Sequence, residues 1–226
     1  MKLNQKIRNL FPVICVGIFY LIAFYLLENR EVPIHIIQTK LDYLIPFCEY
    51  FIIPYLLWFF YVAATVVYFA CFQEDKEEYK RLCISLLTGM IVFLVISFFY
   101  PNGQNLRPVL TGENVFERMV LRLYATDTPT NILPSLHVFY STVCCIALVN
   151  HDRIKRNRFG KMLIYLLTGS IILSTMFLKQ HSTIDVVMAL LMNGTCYQLF
   201  YKQASNRSHV GTMHFRTRHK RKGIEL

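Results

Sequence analysis

Hydrophobic residues in this chain are gathered into long uncharged runs instead of alternating with polar ones. The runs cover Leu10 to Leu27, Tyr50 to Phe72, Leu82 to Tyr100, Ile132 to Asn150, Met162 to Leu178 and Ser182 to Tyr201. Each is close to the ~20 residues with which a helix crosses a hydrocarbon core. The pattern predicts an all-α polytopic membrane protein built as a bundle of six transmembrane helices. The first run follows Lys2, Lys6 and Arg8 as a signal peptide would, but its apolar core is long and no small-residue cleavage pattern follows it, so it reads as an uncleaved anchor. Connections between runs are short, which predicts a single membrane domain over residues 1–201 followed by a basic tail over 202–226.

One connection has a period of its own. Between the third and fourth runs, Val115, Phe116, Met119, Val120, Leu123 and Tyr124 recur at helical spacing, with Glu113, Glu117, Arg118 and Arg122 elsewhere on the wheel. This predicts a short helix in the third loop, either lying at the interface or packed over the bundle as a lid.

Composition agrees with a membrane protein: 54% of the 226 residues are hydrophobic, 15% aromatic and only 17% charged. Seven cysteines lie in or beside the apolar runs without metal-type pairing, as small apolar residues would. The net charge of +10 raises the question of nucleic acid, but the location of the cations answers it. They cluster around the N-terminus, after the second and fourth runs and in the tail, which by the positive-inside rule puts both termini in the cytoplasm. Arg30, Lys40, Arg107, Arg118, Arg122 and Lys179 fall on the opposite side. The tail segment FRTRHKRKG, directly after a membrane run, reads as a topology and anionic-lipid element. No nucleic-acid partner is expected, and the cell membrane is the expected location.

Polar residues within or beside apolar runs carry the chemistry, because an intramembrane charge is costly and persists where it lines a cavity or reacts. Three segments stand out. NLRPVL places Arg107, with its planar fork of donors suited to phosphate, before Pro108. NILPSLHVFY places Ser135 and His137 at the start of the fourth run, where free amides and the helix dipole favour an anion. FLKQHSTIDV places His181 and Asp185 four apart, where a carboxylate can fix the imidazole tautomer and leave the other nitrogen free to attack. The charge pattern puts all three on the side away from the cytoplasm, which predicts one shared anionic site there.

These residues resemble the type 2 phosphatidic acid phosphatase superfamily, whose signature is K-x6-R-P, then P-S-x-H, then S-R-x5-H-x3-D on a six-helix core. The matching segments are YPNGQNLRP (Tyr100 to Pro108), PSLH (Pro134 to His137) and STMFLKQHSTID (Ser174 to Asp185). The resemblance implies a lipid phosphate substrate and a reaction without metal or other cofactor. It makes His181 the nucleophile, Asp185 its orienter and His137 the acid and then the base, with Arg107 and Ser135 on the phosphate. Two departures are visible: Tyr100 stands at the position of the family's lysine and Thr175 at that of its arginine. Lys179 is the candidate to restore one positive charge, with Gln104, Asn105 or Gln180 as neutral donors. The PSLH and KQH spellings also resemble the inositol phosphotransferase branch. Hydrolysis of a lipid phosphate is the leading expectation. Transfer to a lipid alcohol, binding of an anionic lipid without turnover, and a zinc site on His137, His181 and Asp185 are the alternatives.

Overall fold

The computed structural model describes residues 3–73 and 75–202, and the tail expected from 202 onward lies, past its first residue, outside them. The described residues are mostly helical. Its elements are α1 (Leu3–Glu28), α2 (Lys40–Leu44), a 3-10 turn (Glu49–Phe51) leading into α3 (Ile52–Phe72), α4 (Lys76–Phe99), α5 (Val115–Thr126), α6 (Leu136–Asn150), α7 (Arg158–Phe177) and α8 (Thr183–Tyr197), which runs into a π-helical turn (Gln198–Lys202). Five of these helices are long and apolar enough to cross a membrane, and α6 is apolar but shorter. The outward-facing side chains are themselves apolar: Phe60 is 74% exposed and Leu21 64%. A surface of this kind is stable against lipid and not against water.

Capping residues set where the helices begin. Asp75 accepts from the amide of Glu77, Asn114 from Glu117, Ser135 from Val138, Asn157 from Gly160 and Ser182 from Ile184, so α4 to α8 each open on a side chain that satisfies an otherwise orphaned N–H. For α6 this moves the start inward from the Ile132 expected from hydropathy. Asn131 adopts a left-handed φ of 51°, and the Asn102 side chain accepts from the amides of Ile132 and Leu133 at 3.0 and 2.9 Å. Residues 131–135 are thereby held out of the helix, and the 15-residue helix that follows is only ~22 Å long.

α6 is the central helix, touching α3, α4, α7 and α8, while α1 rests on α3 and α4 at the periphery. The core around it is formed by Phe69, Leu82, Val138, Phe139, Cys144, Ile171 and Ala189 among others. α4 packs closely on α6 at Gly89, where a Cβ would lie 2.3 Å from the ring of Phe139. A second, smaller core gathers Ile52, Tyr55, Val120 and Leu178, with Phe116, Met119 and Leu123 packed on it. It seats α5 against the end of the bundle, so the amphipathic helix of the third loop is a lid. A two-residue parallel pairing, β1 (His35–Ile36) with β2 (Asn102–Gly103), ties the loop after α1 to the loop after α4.

Candidate active site

At the lid end of the bundle the C-terminal ends of α1 and α4 meet the N-terminal ends of α3 and α6 and the segment before α8, around a cavity of about 290 Å³. One side is aromatic, with Tyr20, Phe24, Trp58 and Phe93. The other is the polar strip from Thr126 to Asn131, and His137, Gln180 and His181 stand between them.

His181 immediately precedes Ser182, the N-cap of α8, and Asp185 is that helix's third residue, so the chain folds the imidazole back onto the carboxylate. Nδ1 of His181 lies 2.6 Å from Oδ2 of Asp185, whose side chain is fully buried. A carboxylate only accepts, which places the proton on Nδ1 and leaves Nε2 of a neutral ring with its lone pair. The amide of His181 donates to the carbonyl of Thr175 at 3.1 Å, and the carbonyl of Asp185 accepts from the amide of Ser135, locking the ends of α7, α8 and α6 together. His137 faces His181 with ring centroids 5.7 Å apart. It is stacked on Tyr55 at 4.5 Å and set against Trp58 at 4.1 Å, and its Nε2 has no hydrogen-bond partner among the described residues.

The sequence-derived phosphate ligands divide into three cases. Arg107 stands just behind the wall: its Nη1 donates to the Tyr124 carbonyl at 3.2 Å, its Nη2 to the Asp127 carbonyl at 2.6 Å and to Oε1 of Gln180, and its guanidinium lies 4.3 Å from the centroid of the Tyr124 ring. Burial pulls the guanidinium below its usual value, opposed by Asp127 and Tyr124. Because arginine only donates, Gln180 must turn its oxygen to Arg107, so its unpartnered Nε2 is the end left for the cavity. Ser135 is fully buried behind the wall, its hydroxyl on the amide of Val138. Lys179 is turned elsewhere altogether. Its backbone is left-handed, with φ 53°, and its ammonium donates to the carbonyls of Asp42, at 2.6 Å, and Ile45. Burial lowers it and the Asp42 charge opposes that. Among the neutral candidates, Gln104 bridges the carbonyl of Lys179 and the amide of Leu106, while the backbone amide of Asn105 donates to Gln38.

The two departures from the superfamily pattern have local uses. Tyr100 stacks on His35 at 4.6 Å, and Thr175 supplies the carbonyl that receives the amides of Gln180 and His181. Sequence reasoning missed Asp127 and Asn131, because the segment from Thr126 to Asn131 reads as an ordinary turn. Asp127 accepts from the hydroxyl of Tyr55 at 2.9 Å, and burial raises its carboxyl above the usual range, opposed by Tyr55, His181 and Arg107. Among the described residues no three His, Cys, Asp or Glu side chains converge as a metal-ligand set.

Comparison of the chain with family models, with curated proteins and with solved structures finds no match.

Proposed function

We propose that the chain is a membrane-embedded lipid phosphate phosphatase of the type 2 phosphatidic acid phosphatase kind, its six apolar helices crossing the bilayer and its cavity opening on the extracytoplasmic side. The observation that carries this reading is the His181–Asp185 pair facing His137 across one cavity. In this mechanism Nε2 of His181 attacks phosphorus as the bond to the lipid oxygen breaks, and the departing oxygen takes a proton from His137. His137 then removes a proton from water, whose oxygen attacks phosphorus, breaking the P–N bond and releasing inorganic phosphate. Asp185 holds the Nδ1 proton and balances the charge that forms on His181. The amide of Gln180, polarised by Arg107, contributes donors to the equatorial phosphate oxygens in the place of a second cation. Transfer to a lipid alcohol uses the same first step, and the single guanidinium beside the cavity favours it as the second reading.

Purified protein in chelator should release phosphate from short-chain phosphatidic acid, phosphatidylglycerol phosphate or polyprenyl diphosphate. His181→Ala should abolish release, while His137→Ala should slow it by ~10²- to 10⁴-fold and leave acid-labile phosphate trapped on His181. Unchanged release from His181→Ala would reject the assignment. A new phosphodiester lipid formed when an alcohol is supplied would establish transfer.

A further inference from the structure

His181 is carried not on a helix but on the connection from Leu178 to Ser182, between α7 and α8. Attack in line on phosphorus tolerates little displacement of Nε2, so a nucleophile on a connection needs its backbone fixed from outside. The Thr175 carbonyl holds the amide of His181 itself. The residues to either side of it are held from α2, whose Asp42 lies 140 residues before Ser182.

On the near flank, the buried Lys179 ammonium donates to the main-chain carbonyl of Asp42 at 2.6 Å and to that of Ile45. On the far flank, the Asp42 side chain divides its two oxygens. Oδ2 closes the start of α2 by accepting from the amide and hydroxyl of Thr39 at 2.6 and 3.0 Å, and it also takes the hydroxyl of Ser182 at 2.8 Å. Oδ1 is given wholly to Thr183, whose amide and hydroxyl reach it at 2.6 and 2.7 Å. Asp42 is only 2% exposed, and a five-residue helix needs no second carboxylate oxygen to cap it. Burying a charge is costly, and the bonds that offset the cost here run to the neighbours of His181. Resting on the nucleophilic role proposed above for His181, we infer that Asp42 is a positioning residue for that imidazole. It has no contact with the phosphate and acts by fixing the chain on both sides of His181, through its carbonyl on one and its carboxylate on the other. Asp42→Asn keeps the carbonyl but only one side-chain oxygen, so either Thr183 or the pair Thr39 and Ser182 loses its acceptor.

The test uses full-length protein in detergent and chelator with short-chain phosphatidic acid, at a temperature where melting curves show every variant folded. Asp42→Asn should lower kcat by about 10- to 100-fold while KM changes by less than about twofold, because a displaced nucleophile costs rate and not binding. Thr183→Val, which retains the amide bond to Oδ1, should give a loss of the same kind of about two- to tenfold. Asn9→Ala removes a hydrogen bond at the opposite end of the bundle and should lower the melting temperature with kcat unchanged. A second readout does not depend on turnover. In protein carrying isotope-labelled histidine, the Nδ1 proton of His181, assigned by its loss in His181→Ala, should exchange with water at least about tenfold faster in Asp42→Asn than in wild type. Wild-type kcat in Asp42→Asn, or an equal loss in Asn9→Ala, would overturn the positioning role. If the wild-type protein releases phosphate from no lipid, the phosphatase reading falls and proton exchange alone decides, an unchanged rate in Asp42→Asn overturning the hold on His181.

Discussion

Residue by residue, the site depends on where protons are already committed. Gln180 illustrates this: it is useful as a donor only because Arg107 holds its oxygen. Gln180→Leu should therefore raise KM for a lipid phosphate by roughly three- to tenfold, the worth of a neutral hydrogen bond, with a smaller change in kcat. Arg107→Lys retains the charge but cannot reproduce bonds to two carbonyls and an amide oxygen at once, so steady-state kinetics should show a loss in kcat/KM that exceeds that of Gln180→Leu. Asp42 provides a second case, structural in kind. Its carboxylate receives the amide and hydroxyl of Thr183, the amide and hydroxyl of Thr39 and the hydroxyl of Ser182. Burial alone would raise its pKa, but those hydrogen bonds outweigh burial and hold it below the ordinary carboxylate value. A lowered folded-state pKa means that the stabilisation is present above the unfolded value near ~4 and is lost as pH falls through the folded one. Asp42→Asn should lower the melting temperature at pH 7, and the gap from wild type should close as the buffer is taken below about pH 4.

At the level of elements, the α4–α6 contact at Gly89 sets how closely the short central helix is held. Gly89→Ala should cost about 1–3 kcal/mol through overpacking against Phe139, read as a lower melting temperature, and Gly89→Ala combined with Phe139→Leu should recover part of it. The helices were largely legible in the sequence, since an uncharged run of adequate length has few alternatives to a helix, and α5 announced itself by its 3.6-residue period. What the runs did not show was the start of α6. Hydropathy counts Ile132 and Leu133 as helix, whereas the side chain of Asn102, 30 residues earlier, takes their amides and keeps them out of it. The candidate site was legible in the same proportion. His137, His181 and Asp185 could be placed together because helix spacing and sidedness decide their meeting. Asp127 and Asn131 carried no periodic signal, and Lys179, two residues before His181, has its side chain turned to the C-terminal end of α2, a direction that spacing does not encode.

For the whole molecule, the arrangement of ends makes a claim about sidedness. The lid, the cavity and the loop carrying Val109 share one end of the bundle, and the turn between α6 and α7 lies at the other. In intact cells a membrane-impermeant maleimide should label Val109→Cys, which is 98% exposed, above the background of the seven native cysteines. Asp152→Cys, whose native side chain is 77% exposed, should react only after permeabilisation. The reverse pattern would place the cavity on the cytoplasmic face.

α1 is fastened at both ends and barely covered between them. Near its start the Asn9 side chain donates to the carbonyl of Ala70, and the Asn9 carbonyl receives Tyr79; at its finish Glu28 grips Thr128, Thr130 and Asn131, and Arg30 just beyond holds the carbonyls of Ser97 and Phe98. Only 6% of its most apolar stretch is buried, yet its C-terminal half contributes Tyr20 and Phe24 to the cavity. One wall of the cavity is therefore a single helix moored at its ends, with the Tyr20 and Phe24 rings on its inner face and bare apolar side chains such as Phe19 and Ile22 on its outer one.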